Sequence, residues 1–306
     1  MIATRAAVLA VATAALASVA GAQDMSRLAV PSRTAELIDQ LKNADPEKRM
    51  EAAAALGVLG PAAKPAIPNL VEALKDPVAA VRMKAIDALM LMGPAAAEAA
   101  SKIPPFLNDP DELVRVSAVV ALPRITAEPS STVPLLKKAL GDNASTVRRS
   151  AAIELAMLQA ELPAAVPVLR EGLDDPIPSR RLEVCIALGK VVPAQERKAI
   201  AAIAAAFLQD RNIRVRVEAT RALGWLGAEA VPYLVRILES ADRERPIYRM
   251  AIRSLGRIGP DAKASLPVLR ALTENKRFRR GTLDVAIAAI EGKEPPPPPS
   301  PPARPR

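Results

Sequence analysis

Arg49, Arg82, Arg115, Arg148 and Arg181 follow one another at intervals of 33 residues, and Arg216 comes 35 residues after the last of them. Eight residues before each stands a leucine (Leu41, Leu74, Leu107, Leu140, Leu173 and Leu208), and Leu238 and Leu272 continue the series. A fixed period of this length is the mark of stacked supersecondary units, each burying against its neighbours a face it could not bury alone. One period holds two helices of about 12–15 residues and the turns that join them. Half of the residues are hydrophobic but only 2% are aromatic. The interior must therefore be built from Ala, Leu, Val and Ile.

The punctuation of each period fits two helices. Asp45-Pro46, Asp76-Pro77, Asp109-Pro110 and Asp175-Pro176 read as starts of the first helix, with Asp as cap and Pro in the first turn. Val81, Ala85, Ala88, Leu89 and Met92 then recur at helical spacing, which predicts one buried stripe. Gly60-Pro61, Gly93-Pro94 and Gly259-Pro260 end the first helix, since glycine accepts a left-handed cap and proline cannot continue the helix. Second helices are predicted to begin near Pro68, Pro134, Pro167 and Pro232, turning Leu70, Leu136, Leu169 and Leu234 to the same core. Pro104-Pro105 and Pro123 predict a kinked or short region, and Tyr248 stands in a lengthened repeat where its neighbours have arginine.

Asp76-Pro77-Val78-Ala79-Ala80-Val81-Arg82-Met83-Lys84-Ala85 and Asp210-Arg211-Asn212-Ile213-Arg214-Val215-Arg216-Val217-Glu218-Ala219 resemble the aspartate, valine-arginine and alanine signature of the HEAT family. The form is the short one of phycobilisome-lyase-type HEAT-like repeats, and the likeness covers about residues 31–292. The Thr-Pro-Leu-His element of ankyrin repeats is absent from a chain without histidine, as are the Trp and Tyr positions of tetratricopeptide repeats. The resemblance implies an all-α fold: a right-handed α-solenoid of stacked antiparallel helix pairs within residues 23–292. Seven full pairs are expected, with lone capping helices near residues 33–42 and 277–291. Asp76, Asp109, Asp142, Asp175 and Asp210 each precede the arginine of their repeat by six residues, as Glu274 precedes Arg280. In the family such pairs bridge neighbouring repeats, so these acids are expected to form a structural ladder and not a catalytic site.

The ends of the chain differ from the repeats. Arg5, an apolar run from Ala6 to Ala20 and Ala20-Gly21-Ala22 before Gln23 read as a secretory signal peptide over residues 1–22. The expected product is secreted or periplasmic, with no membrane span once the signal is removed. Residues 293–306 are proline-rich, with five consecutive prolines from Pro295, and are expected to be a disordered tail of polyproline II character. Cys185 is the only cysteine, in an apolar first-helix register, so no intramolecular disulfide can form. The absence of histidine removes the commonest metal ligand and general base. No catalytic residue, cofactor, metal or small-molecule substrate is expected.

What remains is surface. The formal net charge is +9, and residues 241–280 carry eleven cations against four acids. Arg249, Arg253 and Arg257 fall on one helix stripe, where an anionic partner would relieve their repulsion. Trp225 shares the register of Arg124, Met157, Lys190 and Arg257, so stacking should set it between Lys190 and Arg257. It reads either as a core plug beside Tyr233 or as a hot spot for an acidic segment. Lys138, Tyr233, Arg236 and Arg270 would line the second-helix side and select a partner there. The partner-binding candidates are therefore Lys190, Trp225, Tyr233, Arg236, Arg249, Arg253, Arg257 and Arg270. The best-supported class is a protein-binding scaffold. HEAT-type enzymes, such as bilin lyases or iron-dependent deoxyhypusine hydroxylases, and nucleic-acid binders, such as HEAT-like alkylpurine glycosylases, are the alternatives. Export and the lack of histidine weigh against the first, and export and six aromatic residues against the second.

Overall fold

The computed structural model describes residues 30–190, 197–240, 245–273 and 280–294. The signal segment, the tail beyond Glu294 and the cations Arg243, Lys276, Arg277 and Arg279 lie outside the described residues. Every regular element among the described residues is helical. The chain divides into two compact units, Met1–Pro129 and Ser130–Arg306. The division falls just after Pro123, in the region the prolines single out.

The N-terminal unit contains α1 (Val30–Gln40), α2 (Pro46–Leu59), α3 (Ile67–Ala73), α4 (Ala79–Met92) and α5 (Glu112–Ile125). The first helices α2, α4 and α5 pack side by side, and α1 and α3 back onto them. Val81, Ala85, Ala88, Leu89 and Met92 of α4 are all buried, and Leu70 of α3 is sealed beneath them. Gly60 and Gly93 stop α2 and α4 at φ 59° with ψ −139° and −136°. That is the mirror image of an extended conformation and not the left-handed helical cap expected, but it favours glycine for the same reason, the absence of a Cβ. The second layer of the second repeat is entirely 3-10 helix, Gly93–Lys102 and Pro104–Asn108, so Pro104-Pro105 breaks α-helix as predicted. Pro123 does not shorten its helix: α5 has 14 residues, as α2 and α4 do, and ends two residues later with the Thr126 N–H on the Leu122 carbonyl.

The C-terminal unit contains α6 (Val133–Ala139), α7 (Ser145–Leu158), α8 (Leu162–Glu171), α9 (Pro178–Leu188) and α10 (Arg197–Ala206). It continues with α11 (Ile213–Leu223), α12 (Val231–Glu239), α13 (Arg245–Ile258), α14 (Leu266–Thr273) and α15 (Arg280–Glu291). First helices α7, α9, α11, α13 and α15 form one row, and α6, α8, α10, α12 and α14 the other. Leu136, Leu169 and Leu234 are fully buried, as their register predicts. Pro68, Pro134 and Pro232 open α3, α6 and α12, but Pro167 lies inside α8, which already starts at Leu162 beside Pro163. Tyr248 is buried and its hydroxyl donates to the Leu238 carbonyl, so it ties down the end of the preceding helix as the arginines do elsewhere.

The Asp-Pro pairs are not all helix starts. Asp45 caps α2 by accepting the Glu47 N–H at 2.9 Å. Its register mates are Val78, Asp111, Ala144, Ile177 and Asn212, of which Asp111 and Asn212 also cap with their side chains. Asp76, Asp109, Asp175 and Asp210 lie two residues further upstream, where each accepts the N–H of the residue two ahead and closes the turn between repeats.

This placement makes the ladder. Asp76 receives Arg49 of the preceding repeat through two hydrogen bonds at 2.6 and 3.0 Å, Asp109 receives Arg82 at 2.9 and 2.8 Å, and Asp210 receives Arg181 at 2.5 and 2.9 Å. The remaining nitrogen of each arginine bonds a carbonyl of its own turn, as Arg82 does to Asp76 O at 2.9 Å. One rung has slipped: Asp175 is held by Arg149 at 2.5 Å, while Arg148 turns to Glu171 at 3.0 Å. Burial pushes the Asp76 and Asp109 carboxyls up, but the hydrogen bonds from arginine and main chain outweigh it and leave both below the usual carboxylate range.

Candidate protein-binding face

The row of first helices ends along one edge of the C-terminal unit, and glycine shapes it. A Cβ on Gly224 would lie 2.6 Å from Ser254 Cβ and 2.9 Å from Ser254 Cα, so the end of α11 touches α13 with no room for a side chain. A Cβ on Gly189, just after α9, would lie 3.1 Å from Ala222 Cα and 3.5 Å from Trp225 Cδ1. These close approaches seal the core at the helix ends and turn the next residue, Lys190 or Trp225, outward.

Trp225 therefore lies over Gly189 on one side and beneath Arg257 on the other, with the guanidinium carbon 4.1 Å from the ring centroid. The predicted stacking order Lys190, Trp225, Arg257 holds. The core-plug reading does not: the indole is 52% exposed. The glycines already close the gap that a plug would have filled.

Cations predominate among the described residues of this face. Arg249, Arg253 and Arg257 lie on the exposed side of α13 and, among the described residues, meet no carboxylate. Burial lowers the pKa of Arg257, and the nearby Arg221 lowers it further. Arg221 stands one turn before Trp225 and pairs only with the partly covered Glu218 of its own helix, at 3.1 Å. The sequence reading missed Arg221, although its place one helical turn ahead of Trp225 marks it. It also missed that Val58 and Leu91, 43% and 42% exposed, occupy the Trp225 register in the N-terminal unit.

The eight candidates do not form one site. Lys190, Trp225, Arg249, Arg253 and Arg257 belong to the first-helix row. Tyr233 and Arg236 are on α12 and Arg270 on α14, in the second row. Tyr233 is half-buried, and Arg270 is spent on Glu291 at 2.6 Å. Cys185 is buried in the core, where desolvation pushes its thiol pKa far up, so the sulfur keeps its proton. An open cleft of about 870 Å³ lies between successive turns, lined by Leu173, Asp174, Arg181, Phe207, Asp210 and Arg211. Its central acid and base, Asp210 and Arg181, are consumed by each other.

Comparison with known proteins agrees with this architecture. The family model described as HEAT repeats matches residues 34–103, 100–189, 166–249 and 200–288. No curated protein matches the sequence. Among solved structures, YibA of Escherichia coli is similar at 20% identity with a TM-score of 0.58, over 86% of this chain and 95% of YibA. Human deoxyhypusine hydroxylase in complex with glycerol matches at 23% identity, over 86% of this chain and 98% of that one, with a TM-score of 0.37. An engineered protein matches at 20% identity and a TM-score of 0.44, over 85% of this chain and 89% of its own. Such identities speak to the fold alone, whereas the family model covers nearly all of the repeat array. The chain belongs to the HEAT repeat family.

Proposed function

We propose that this protein is a non-catalytic interaction scaffold that acts after export and holds a protein partner by an acidic segment. The observation that carries the reading is the half-exposed Trp225 stacked against Arg257, on whose helix Arg249 and Arg253 meet no carboxylate among the described residues. An exposed aromatic ring ringed by cations is the composition of an interface hot spot. Asp76, Asp109, Asp175 and Asp210 are engaged in the ladder, and Cys185 is buried and protonated. No helix among the described residues is long and apolar enough to cross a membrane.

Capture from the native periplasm or culture fluid by crosslinking tests this reading. Arg257→Glu should reduce recovery of the partner by about tenfold, because it places like charges across the contact. Arg270→Glu, on the second row, should leave recovery unchanged. Equal recovery with both variants would remove the Trp225 face from the interface.

A further inference from the structure

We infer that this face reads an extended acidic segment in steps of three residues, with a carboxylate at Lys190, an apolar side chain on Trp225 and a second carboxylate at Arg257 and Arg221. The inference rests on the binding function proposed above and specifies the partner's chemistry. It comes from the spacing of the edge. Lys190, Trp225 and Arg257 lie at the ends of three successive first helices, α9, α11 and α13. Packed helices stand about 8–10 Å apart. An extended chain advances about 3.3 Å per residue, so three residues cover one helix spacing.

Two properties of the edge favour an extended acidic occupant. Trp225 is half exposed, with Gly189 and Arg257 on its flanks, so the ring is a projection against which an extended chain can lie. The charge at Trp225 is mainly positive: Arg257 is partly desolvated with Arg221, itself paired with Glu218, as its near charge, and the guanidinium over the indole presents its N–H groups to a carboxylate. Helix dipoles account for Arg221 and Arg257 near helix ends. They do not account for an indole left in solvent between cations.

Trp225 is the only tryptophan in the chain, so its emission reports this face alone. The test titrates the full-length mature protein with three dye-labelled peptides of identical composition. One has the pattern Glu-x-x-Leu-x-x-Glu, one has adjacent glutamates and a distant leucine, and one carries the same groups seven residues apart on a helical background. The first should bind at least about tenfold tighter than the others, with saturable, salt-sensitive anisotropy and a blue shift of Trp225 emission. Arg257→Ala, verified as folded by circular dichroism, should abolish that preference, and Arg270→Ala should keep it. Equal binding of the first two peptides would overturn the three-residue step while leaving acidic recognition standing. Preference for the helical peptide would overturn the extended occupant. No binding of any peptide at low salt would overturn both the inference and the acidic-segment reading, and dextran sulfate outcompeting every peptide would assign the face to a polyanion.

Discussion

Asp109→Ala is expected to destabilise the N-terminal unit by about 3–5 kcal/mol, because it strands the Arg82 guanidinium in a site it entered only with its partner. The side chains of this pair are 13% and 5% exposed, and two parallel hydrogen bonds join them. The same change also frees the Asp111 N–H that Asp109 accepts at 2.9 Å, so the turn between repeats loosens too. Asp45→Ala, which removes only an exposed helix cap, should cost about 1 kcal/mol. Urea denaturation followed by circular dichroism separates the two. Acid provides a second check. The Asp109 carboxyl lies below its unfolded pKa of about 3.9, so its contribution is present above that pH and is lost as pH falls further. Stability should therefore drop below about pH 4 in the native chain, and more shallowly in the Asp109→Ala variant. Equal costs for Asp109→Ala and Asp45→Ala would mean that the ladder adds nothing to the stack.

Leu136→Ala should cost about 2–5 kcal/mol, and Leu140→Ala about 1 kcal/mol. Both leucines recur with the period, but Leu136 is fully buried in α6 whereas Leu140 caps the same helix and is half-covered. Truncating the first leaves a cavity between packed rows that the short helix cannot collapse into. Truncating the second removes surface that already meets water. Chemical denaturation, with Trp225 emission following the C-terminal unit and circular dichroism the whole chain, reads both variants. The reverse order of costs would mean that the second helices are rotated from the register described.

The repeats were legible because every period states its turn chemistry and its buried stripe in the same places. Val81 to Met92 and the glycine stops at Gly60 and Gly93 sit where periodicity put them. The Asp-Pro pairs were misread since Asp45 and Asp76 look alike in sequence, yet only Asp45 is in the capping register and Asp76 belongs to the ladder. The slipped rung was beyond reach for a related reason. Arg148 and Arg149 are adjacent, and which of them meets Asp175 depends on helix rotation, not on spacing. Trp225 was harder still. Its register mates mix Val58 and Leu91 with Arg124, Lys190 and Arg257, a mixture typical of an outward position, but a tryptophan carries a strong expectation of burial. Gly189 and Gly224 decide the matter by bringing the helix backbones together, and contact between elements far apart in the chain does not appear in a local pattern.

The central claim, that Trp225 is held out for a partner, is tested most directly by Trp225→Ala measured for stability and for partner capture in the same preparation. An exposed ring whose neighbours stay packed should change unfolding free energy by less than about 1 kcal/mol, while recovery of the crosslinked partner falls by about tenfold or more. A stability loss of about 3–5 kcal/mol with capture intact in the folded fraction would contradict the account and return Trp225 to the core.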